Sequence, residues 1–357
     1  MVTTGSSRAE GRAMIKPERL HKGDKVAIVS LSRGLLGEKA FLHKFELAKE
    51  RLKGYGLDVV AMPNALKGID YLYRHPEARA QDLMDAFSSP EIKAVFNAIG
   101  GDDTIRLLPY IDFDVLRNHP KIFTGFSDST TNHFMMYKAG VVSYYGLSVM
   151  NNIAEYVSIN EYTKNALEKT LLAPSDTWTI PASEFCSYEK DKIRWKEENM
   201  NKATPRYPNT GYEVIQGSGK VAGALLGGCI DVFPELLGTS LWPTIDQWRG
   251  KLLLIETSEA DMPEMVLCWL LRNLHAQGIL HAINGIVVGK PAVEEKLEAY
   301  KDVYRQVVGF EANLPNMPIL YNVNVGHAYP IGVFPLGLQY EIDCDSKALT
   351  LLESATA

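Results

Sequence analysis

Apolar and amphipathic segments alternate along the first half of the chain. The apolar segments are four to seven residues long and rich in Val, Ile and Phe, which is typical of buried strands; they lie at residues 25–30, 57–62, 92–98, 121–124 and 141–146. The segments between them carry apolar side chains at helical spacing, at residues 39–53, 76–87, 130–139 and 160–172. This alternation predicts an α/β domain with a parallel sheet.

The second half of the chain repeats the pattern with more strands. Apolar segments predict strands at residues 217–228, 251–256, 285–290, 318–325, 338–343 and 348–352. The last two flank a turn, as the strands of a hairpin do, and helical spacing recurs at residues 263–277 and 293–308. These elements predict a second, smaller α/β domain that is rich in strands.

Proline and charge mark the boundary between the two patterns. Residues 173–211 contain four prolines and a strongly charged segment, which indicates a linker with a long surface loop. Residues 1–14 are small and polar, and we expect them to be disordered. The predicted domains are therefore residues 15–172 and residues 212–357.

Composition narrows the class of protein. A length of 357 residues with 46% hydrophobic content supports two sizeable cores. The net charge of -6 and the lack of a basic cluster give no reason to bind nucleic acid or an anionic membrane. No apolar run reaches the roughly 18 residues of a membrane span, and the N-terminus lacks the apolar core of a signal peptide, so we expect a cytoplasmic protein. The four scattered cysteines indicate reduced thiols rather than disulfides or a zinc site.

One strand-to-helix junction carries candidate chemistry. The strand predicted at residues 121–124 is followed by the segment GFSD, residues 125–128, and then by a helix. A serine at such a turn is typical of a nucleophile elbow, in which the hydroxyl is exposed and the next amide, that of Asp128, faces an oxyanion. The alternative is that Ser127 and Asp128 only cap the helix, because Ser and Asp are preferred capping residues.

A second junction follows the strand at residues 92–98. It contains Gly100-Gly101-Asp102-Asp103, at the carboxyl end of the predicted sheet, where ligands collect. The two glycines allow backbone amides to approach a ligand closely. Either aspartate could meet a substrate amine or simply cap the next helix.

Two strand ends in the second half offer the partners that a nucleophilic serine requires. Glu256 ends the strand at residues 251–256, and His327 follows the strand at residues 318–325. A serine needs a neighbouring base, and the base needs an acid that holds its tautomer. Each residue also fits an ordinary strand end or loop, so spacing alone leaves both interpretations open.

Taken in order, these motifs resemble the LD-carboxypeptidase family of serine peptidases. The similarity runs from about residue 22 to residue 352 and is carried by Gly100-Gly101, Gly125–Asp128, Gly223–Gly228, Leu254–Glu256, Gly326-His327 and Pro335–Gly337. The resemblance implies that Ser127 is the nucleophile, His327 the general base and Glu256 the acid that orients it. The amides of Asp128 and Gly101 would form the oxyanion hole. Glu259, which lies past the strand end, is a weaker candidate for the acid.

The resemblance also implies an architecture and a mode of action. It implies an N-terminal α/β domain, a β-rich C-terminal domain and an active site in the cleft between them. It further implies a homodimer that acts on a small peptide or a peptidyl-nucleotide, with no metal and no cofactor.

Two branches of the family differ in substrate. Murein LD-carboxypeptidases remove the terminal D-alanine from cell-wall tetrapeptides and usually carry Arg-Gly-Gly-Tyr-Gly where this chain has IGGDD, residues 99–103. Microcin C immunity proteins cleave the bond between a carboxyl-terminal aspartyl residue and an adenylate-like group. The chain is more similar to this second branch at residues 99–103, at residues 112–114 and in the loop of Trp195. In that loop, the second branch places a tryptophan against the nucleobase. It departs from the branch at residues 255–257, which read Ile-Glu-Thr where Glu-Asp is common.

We therefore expect a hydrolase of peptidyl adenylates, with a murein tetrapeptide carboxypeptidase as the alternative. Gly100, Asp102, Asp103 and Trp195 are the predicted substrate-binding residues. Trp195 lies in a charged segment that suggests exposure, where it would serve as a stacking surface or would seal the loop onto the protein. A protein of another class also fits the sequence: a non-catalytic binding protein with the same cleft, in which Ser127 only caps its helix.

Overall fold

The computed structural model describes residues 13–191, 193 and 195–357. The prediction of disorder at residues 1–14 falls almost entirely outside these residues. Just inside them, Ile15 forms a parallel β-bridge with Val141. Within the described residues, none of the helices combines the length and the apolar character that crossing a membrane requires.

Helices and strands alternate along the described chain. The strands are β1 Lys25–Val29, β2 Asp58–Ala61, β3 Ile92–Asn97, β4 Ile122–Gly125, β5 Ser143–Tyr145, β6 Trp178–Ile180, β7 Phe185–Cys186, β8 Tyr207–Pro208, β9 Glu213–Gln216, β10 Lys220–Cys229, β11 Leu252–Glu256, β12 Gly285–Gly289, β13 Ile319–Val323, β14 Phe334–Leu336, β15 Gln339–Asp343 and β16 Ala348–Leu351. The α-helices are α1 Leu42–Gly54, α2 Ile69–Arg74, α3 Pro76–Ser88, α4 Phe113–Asn118, α5 Thr130–Ala139, α6 Glu161–Leu167, α7 Phe233–Leu236, α8 Ile245–Trp248, α9 Glu264–Ala276, α10 Ile279–Ala282 and α11 Lys296–Tyr304.

The first sheet has six strands in the order β14-β5-β4-β3-β1-β2. Strands β1 to β5 pair in parallel, which confirms the α/β prediction for this half of the chain. Strand β14 comes from the far end of the chain and pairs with β5 in antiparallel orientation. The sequence did not predict β14, whose central residue is Pro335. Proline cannot donate a ladder hydrogen bond, so it is tolerated here because β14 is an edge strand.

The second sheet has eight strands in the order β6-β16-β15-β10-β11-β12-β13-β9. Its centre, β10 to β13, is parallel, and the strands on both sides are antiparallel, including the predicted hairpin of β15 and β16. Strand β6 lies within residues 173–211 and pairs with β16. The predicted linker therefore contributes an edge strand to the C-terminal sheet.

The two sheets share their apolar packing. Each of the two large clusters of buried apolar side chains contains residues from both sheets. A direct hydrogen bond also joins them, because the amide of Cys229 at the end of β10 donates to Oγ1 of Thr130 at the start of α5, at 3.0 Å. The helix that follows Ser127 is thereby held against the second sheet.

Candidate active site

A cavity of about 240 Å³ lies where strand ends of both sheets meet. The segments that follow β1, β3, β4, β11 and β13 supply most of its lining: Arg33, Ile99–Asp102, Phe126, Ser127, Ser258–Ala260 and His327, together with Asn151 and Trp195. The carboxyl ends of parallel strands are the usual place for a ligand in α/β proteins. The structure therefore brings the sequence-predicted residues Ser127 and His327 to one cavity.

The backbone at Ser127 turns sharply between β4 and the short 3-10 helix Ser127–Ser129, which leads into α5. Ser127 has a φ of 63°, a left-handed conformation that is uncommon for any residue other than glycine. Such strain at a strand-to-helix turn is characteristic of a nucleophile elbow. Its amide donates to the hydroxyl of Tyr145 at 3.2 Å, which holds the turn in place.

Gly100 lies directly against this turn. A Cβ atom at Gly100 would be 2.8 Å from Cβ of Ser127, 3.0 Å from its Oγ and 3.3 Å from the amide nitrogen of Asp128. Only glycine allows so close an approach of one backbone to the other. Gly100 therefore lies beside Ser127 and the amide of Asp128, and an oxyanion hole formed by Gly101 and Asp128 stays a prediction.

The side chain of Asp128 has a structural position. It is fully buried, and its Oδ2 accepts hydrogen bonds from the amides of Asp103 and Thr104, both at 3.0 Å, and from the hydroxyls of Ser32 and Thr104. These bonds tie the loop after β3 to the elbow. Only the amide of Asp128, and not its carboxylate, is thus available for the predicted role.

The two predicted aspartates of the loop after β3 are placed differently. Asp102 lines the cavity. Asp103 does not, because its carboxylate binds the buried guanidinium of Arg79 at 2.6 and 3.0 Å and that of Arg106 at 2.9 Å. Substrate binding thus remains a prediction for Asp102, while the Asp103 side chain is engaged in holding the loop.

A histidine and a glutamate meet across two strand ends of the second sheet. Nδ1 of His327 lies 2.7 Å from Oε2 of Glu256, and both side chains are buried. Gly326 makes this possible, because with its φ of 91° a Cβ atom there would lie 2.3 Å from that oxygen. The ring of Phe126, next to Ser127, contacts the imidazole edge-on at a centroid distance of 5.1 Å.

Tyr145 is a part of the site that sequence reasoning missed. Its hydroxyl donates to Oε1 of Glu256 at 2.5 Å while accepting from the amide of Ser127. Burial raises the pKa of Tyr145 well above its usual value, so the phenol keeps the proton it donates. The sequence held no local signal for this role, because Tyr145 is brought beside Gly125 only by the pairing of β5 with β4.

His327 has a second acidic neighbour. Oε2 of Glu259, on the loop after β11, lies 3.2 Å from Nε2 of the imidazole. The sequence suggested Glu259 as a weaker candidate for the orienting acid. The structure places Glu259 beside Nε2, whereas Glu256 lies beside Nδ1, so the role of orienting acid stays a prediction for Glu256.

Cys229, Glu256 and His327 lie within 4.8 Å of one another, a spacing that three metal ligands could have. However, Nδ1 of His327 is hydrogen-bonded directly to Glu256, which leaves no room for an ion between them. Burial, with Glu256 nearby, raises the pKa of the Cys229 thiol well above its usual value. The donor set is that of a hydrogen-bonded acid–base pair, and we assign no metal to it.

Trp195 combines features of the two roles that the sequence allowed. Its ring lines the cavity and is half-buried, with the edge of Phe41 at a centroid distance of 6.2 Å and Nζ of Lys44 at 6.0 Å. Lys44 is itself fully buried and donates to the backbone carbonyls of Met150 and Ala154. The ring therefore packs against α1 and also presents a surface to the cavity.

A buried histidine, His133, lies behind the turn at Ser127. It lies fully buried on α5, with Nε2 at 2.9 Å from the carbonyl oxygen of Gly125 and Nδ1 at 2.8 Å from Oγ of Ser143. Burial lowers the pKa of His133 from 6.5 to about 4. The unfolded chain therefore binds a proton first as the pH falls, so this residue costs stability from pH 6.5 down to about 4, by up to roughly 3 kcal/mol.

We expect urea unfolding to report this linkage. Between about pH 7 and pH 4.5, wild type should lose more unfolding free energy than His133→Gln, because glutamine does not titrate. The matched control is His119→Gln, which changes an exposed histidine next to α4. Equal pH dependence in wild type and His133→Gln would contradict the prediction.

Comparison with known proteins matches two long segments of the chain to one family. Residues 26–146 match the LD-carboxypeptidase N-terminal domain, and residues 222–342 match the LD-carboxypeptidase C-terminal domain. The chain is 26% identical to the microcin C7 self-immunity protein MccF of Escherichia coli over 279 residues, 77% of this chain and 78% of that protein. It is 27% identical to a probable murein peptide carboxypeptidase of Bacillus subtilis over 343 residues, 94% of each chain.

Among solved structures, an MccF-like protein from Streptococcus pneumoniae in complex with AMP is similar, with a TM-score of 0.85 and 34% identity. The similarity covers 92% of this chain and 98% of that one. Both domain matches fall in the expected order and span the strand ends that build the cavity. The chain belongs to the LD-carboxypeptidase family of serine peptidases.

Proposed function

We propose that this protein hydrolyses an amide bond at the carboxyl-terminal end of a small peptide or a peptidyl-nucleotide, using Ser127, His327 and Glu256 as a catalytic triad. The observation that carries the proposal is the 2.7 Å contact between His327 and Glu256, at a cavity that Ser127 also lines. A buried carboxylate on Nδ1 fixes the tautomer in which Nε2 is the basic nitrogen.

In the first half of the reaction, Oγ of Ser127 attacks the carbonyl carbon, and its proton passes to Nε2 of His327. The oxygen becomes an oxyanion, which the amides of Asp128 and Gly101 stabilise. Glu256 stabilises the imidazolium and is itself held by Tyr145. When the carbon–nitrogen bond breaks, the imidazolium gives its proton to the leaving nitrogen, and an acyl-enzyme remains.

In the second half, water replaces the leaving group. His327 takes a proton from the water as it attacks the ester carbonyl, and the oxyanion forms at the same amides. Collapse returns the proton to Oγ of Ser127 and releases the peptide as a carboxylate. One water is consumed for each bond that is cleaved.

Overall sequence identity does not distinguish the two branches, because the chain is 26% identical to the microcin self-immunity protein and 27% identical to the murein peptide carboxypeptidase. The cavity wall favours a peptidyl-nucleotide, since Trp195 supplies an aromatic face there. The AMP complex of the MccF-like protein from Streptococcus pneumoniae, at 34% identity, supports the same substrate class. Murein tetrapeptide remains the second candidate because of the relative in Bacillus subtilis.

Arg33 and Asp102 are charged residues that line the same cavity as Trp195. Arg33 is exposed, lines the cavity and is fixed by its amide, which donates to the carbonyl of Gly100 at 3.3 Å. A guanidinium suits a phosphate or a terminal carboxylate. We therefore add Arg33 to the predicted substrate-binding residues Gly100, Asp102 and Trp195.

Replacing Trp195 with alanine should weaken adenylate substrates by roughly 1–3 kcal/mol, the scale of base stacking on an aromatic ring. Substrates without a base should be nearly unaffected. Steady-state kinetics on a matched pair, the same dipeptide with and without the nucleoside, measures the difference. Trp195→Phe keeps an aromatic face and should restore much of the loss.

The same matched pair of substrates distinguishes a stacking role of the Trp195 ring from a purely structural one. Because Trp195 also packs against Phe41, a purely structural role would lower turnover of both substrates together. Equal losses would remove the stacking role and most of the reason to prefer adenylates. A murein enzyme would cleave the tetrapeptide and leave the adenylate intact.

A non-catalytic binding protein would differ in one direct test. Labelling of Ser127 by a serine-directed phosphonate is expected for the hydrolase, and its absence would favour the binding protein. The homodimer implied by the resemblance and the cytoplasmic location stay predictions.

A further inference from the structure

One buried side chain outside the cavity contacts two of the loops that build its wall. Arg79 lies on α3, is fully buried and does not line the cavity. One terminal nitrogen of its guanidinium donates to the backbone carbonyls of Leu31 and Ser32, at 3.2 and 3.1 Å. The two terminal nitrogens bind the carboxylate of Asp103, at 2.6 and 3.0 Å. A single planar group therefore joins the loop after β1 to the loop after β3.

The backbone that this guanidinium holds continues directly into the cavity wall. Arg33 follows Ser32 in the loop after β1. Gly101 and Asp102 precede Asp103 in the loop after β3, and together with Arg33 they line the cavity. Because each peptide unit is rigid, a displacement of a held residue also displaces its neighbours. The proposed substrate-binding residues Arg33 and Asp102 and the proposed oxyanion amide of Gly101 therefore depend on the same anchor.

The two loops also contact each other and the turn at Ser127. A Cβ atom at Gly101 would collide with Oγ of Ser32 and would lie 2.9 Å from the amide nitrogen of Arg33. The hydroxyl of Ser32 donates to the buried carboxylate of Asp128. A displacement of either loop is therefore transmitted to the other loop and to the turn.

The chemistry of the guanidinium suits this role. Its forked donors match both oxygens of a carboxylate and still reach carbonyl oxygens beside it. Because the charge of Arg79 is fully buried, the carboxylate of Asp103 and the two carbonyls replace its hydration. A lysine would keep the charge, but its single nitrogen cannot reproduce the paired contact with the carboxylate.

We propose that Arg79 is a positioning residue for the cavity, and that it sets the loops that supply Arg33, Gly101 and Asp102. Loosening these loops displaces the amide of Gly101 from the oxyanion and the side chains of Arg33 and Asp102 from the substrate. A displacement of about 1 Å in a positioned group can cost roughly 10²-fold in rate. This inference rests on the proposed function of the cavity.

The test is steady-state kinetics of Arg79→Lys on the nucleoside-bearing dipeptide proposed for Trp195. We expect kcat to fall roughly 10- to 100-fold and KM to rise, because both the oxyanion amide and the substrate-binding side chains are displaced. Partial unfolding of the sample would lower kcat alone, since the molecules that stay folded keep their KM. The rise in KM therefore separates positioning from stability.

Lys121→Met is the matched control. Lys121 is also a buried cation, and it donates to the backbone carbonyls of Ser89 and Ile92 at 2.8 and 2.6 Å. These contacts lie at the amino ends of β3 and β4, whereas the cavity lies at the carboxyl ends. Lys121→Met should therefore lower the temperature of unfolding while kcat and KM stay unchanged.

Asp103→Asn examines the same link from the other side and serves if Arg79→Lys does not fold. Asparagine keeps the size of the side chain but loses the charge and one of the two acceptors. It should lower kcat and raise KM as Arg79→Lys does. An unchanged KM in the folded variant, or an equal rise in Lys121→Met, would overturn the inference.

Hydrogen exchange measured by mass spectrometry reports the two loops without any substrate. The amides of Arg33 and Thr104 are hydrogen-bonded, at 3.3 and 3.0 Å. Exchange in Arg79→Lys should quicken at residues 31–33 and 100–104, and in Lys121→Met only near residues 89–92. Unchanged exchange in both loops would reject the positioning role. If the wild type does not hydrolyse the dipeptide, the proposed function is at fault, and hydrogen exchange still decides the role of Arg79.

Discussion

Replacing Ser127 with alanine is expected to lower kcat by roughly 10⁴ to 10⁶-fold, because the reaction loses its nucleophile. The fold should persist, since the amide that bonds Tyr145 belongs to the backbone and is retained. Steady-state kinetics on the preferred peptidyl substrate, with thermal unfolding of the same preparation, measures both parts.

Ser127→Gly provides the matched control for this change. Ser127 has a φ of 63°, which glycine adopts readily, so the glycine variant should be at least as stable as the alanine variant and equally inactive. Loss of activity would then follow the hydroxyl and not the geometry of the turn. Substantial turnover in either variant would remove Ser127 from the mechanism.

Replacing His327 with alanine is expected to be about as severe as losing Ser127, because residues that act as a unit do not contribute additively. The double variant Ser127→Ala with His327→Ala should be no worse than either single one. Glu256→Gln should retain more activity, with a loss of roughly 10² to 10⁴-fold, because glutamine still accepts from Nδ1 but lacks the charge that stabilises the imidazolium. Single-turnover kinetics with excess enzyme measures these small rates.

An unrelated histidine serves as the comparison. His119→Ala changes an exposed side chain next to α4, which does not line the cavity, and should leave activity unchanged. A loss from His327→Ala no greater than that from His119→Ala would reject the base. A larger loss from Glu256→Gln than from His327→Ala would mean that Glu256 does more than orient the ring.

Local pattern predicted most elements of the fold and one part of the site. Helix α5 begins and ends at the predicted residues, and β1 and α3 differ from prediction by only one residue at one end. Such elements follow from side-chain period and capping, which act over a few residues. The turn at Ser127 belongs to the same class, because strand, glycine and serine are adjacent in the chain.

The structure added what the sequence left open, where the answer depends on surroundings. The GGDD motif left open which aspartate faces a ligand. Arg79, a fully buried side chain from α3, binds Asp103, whereas Asp102 lines the cavity. The sequence allowed Trp195 to be either an exposed stacking surface or a seal for its loop. The ring is half-buried beside Phe41 and Lys44, and it also lines the cavity. Neither outcome could be read from neighbours in sequence, because the partner lies on another element.

By itself the sequence determined the α/β class and the strand-to-helix turn at Ser127, and through family resemblance it predicted the pairing of His327 with Glu256. Tertiary structure alone decided that Tyr145 links this acid to the elbow and that Glu259 meets the opposite nitrogen of the ring. It also decided that β14 forms one edge of the first sheet. The physical reason is range. Hydrophobic period and turn chemistry act between residues close in sequence, whereas the contacts of Tyr145 with Glu256, of Glu259 with His327 and of β14 with β5 join residues more than 60 positions apart, and only the packing of the two sheets brings them together.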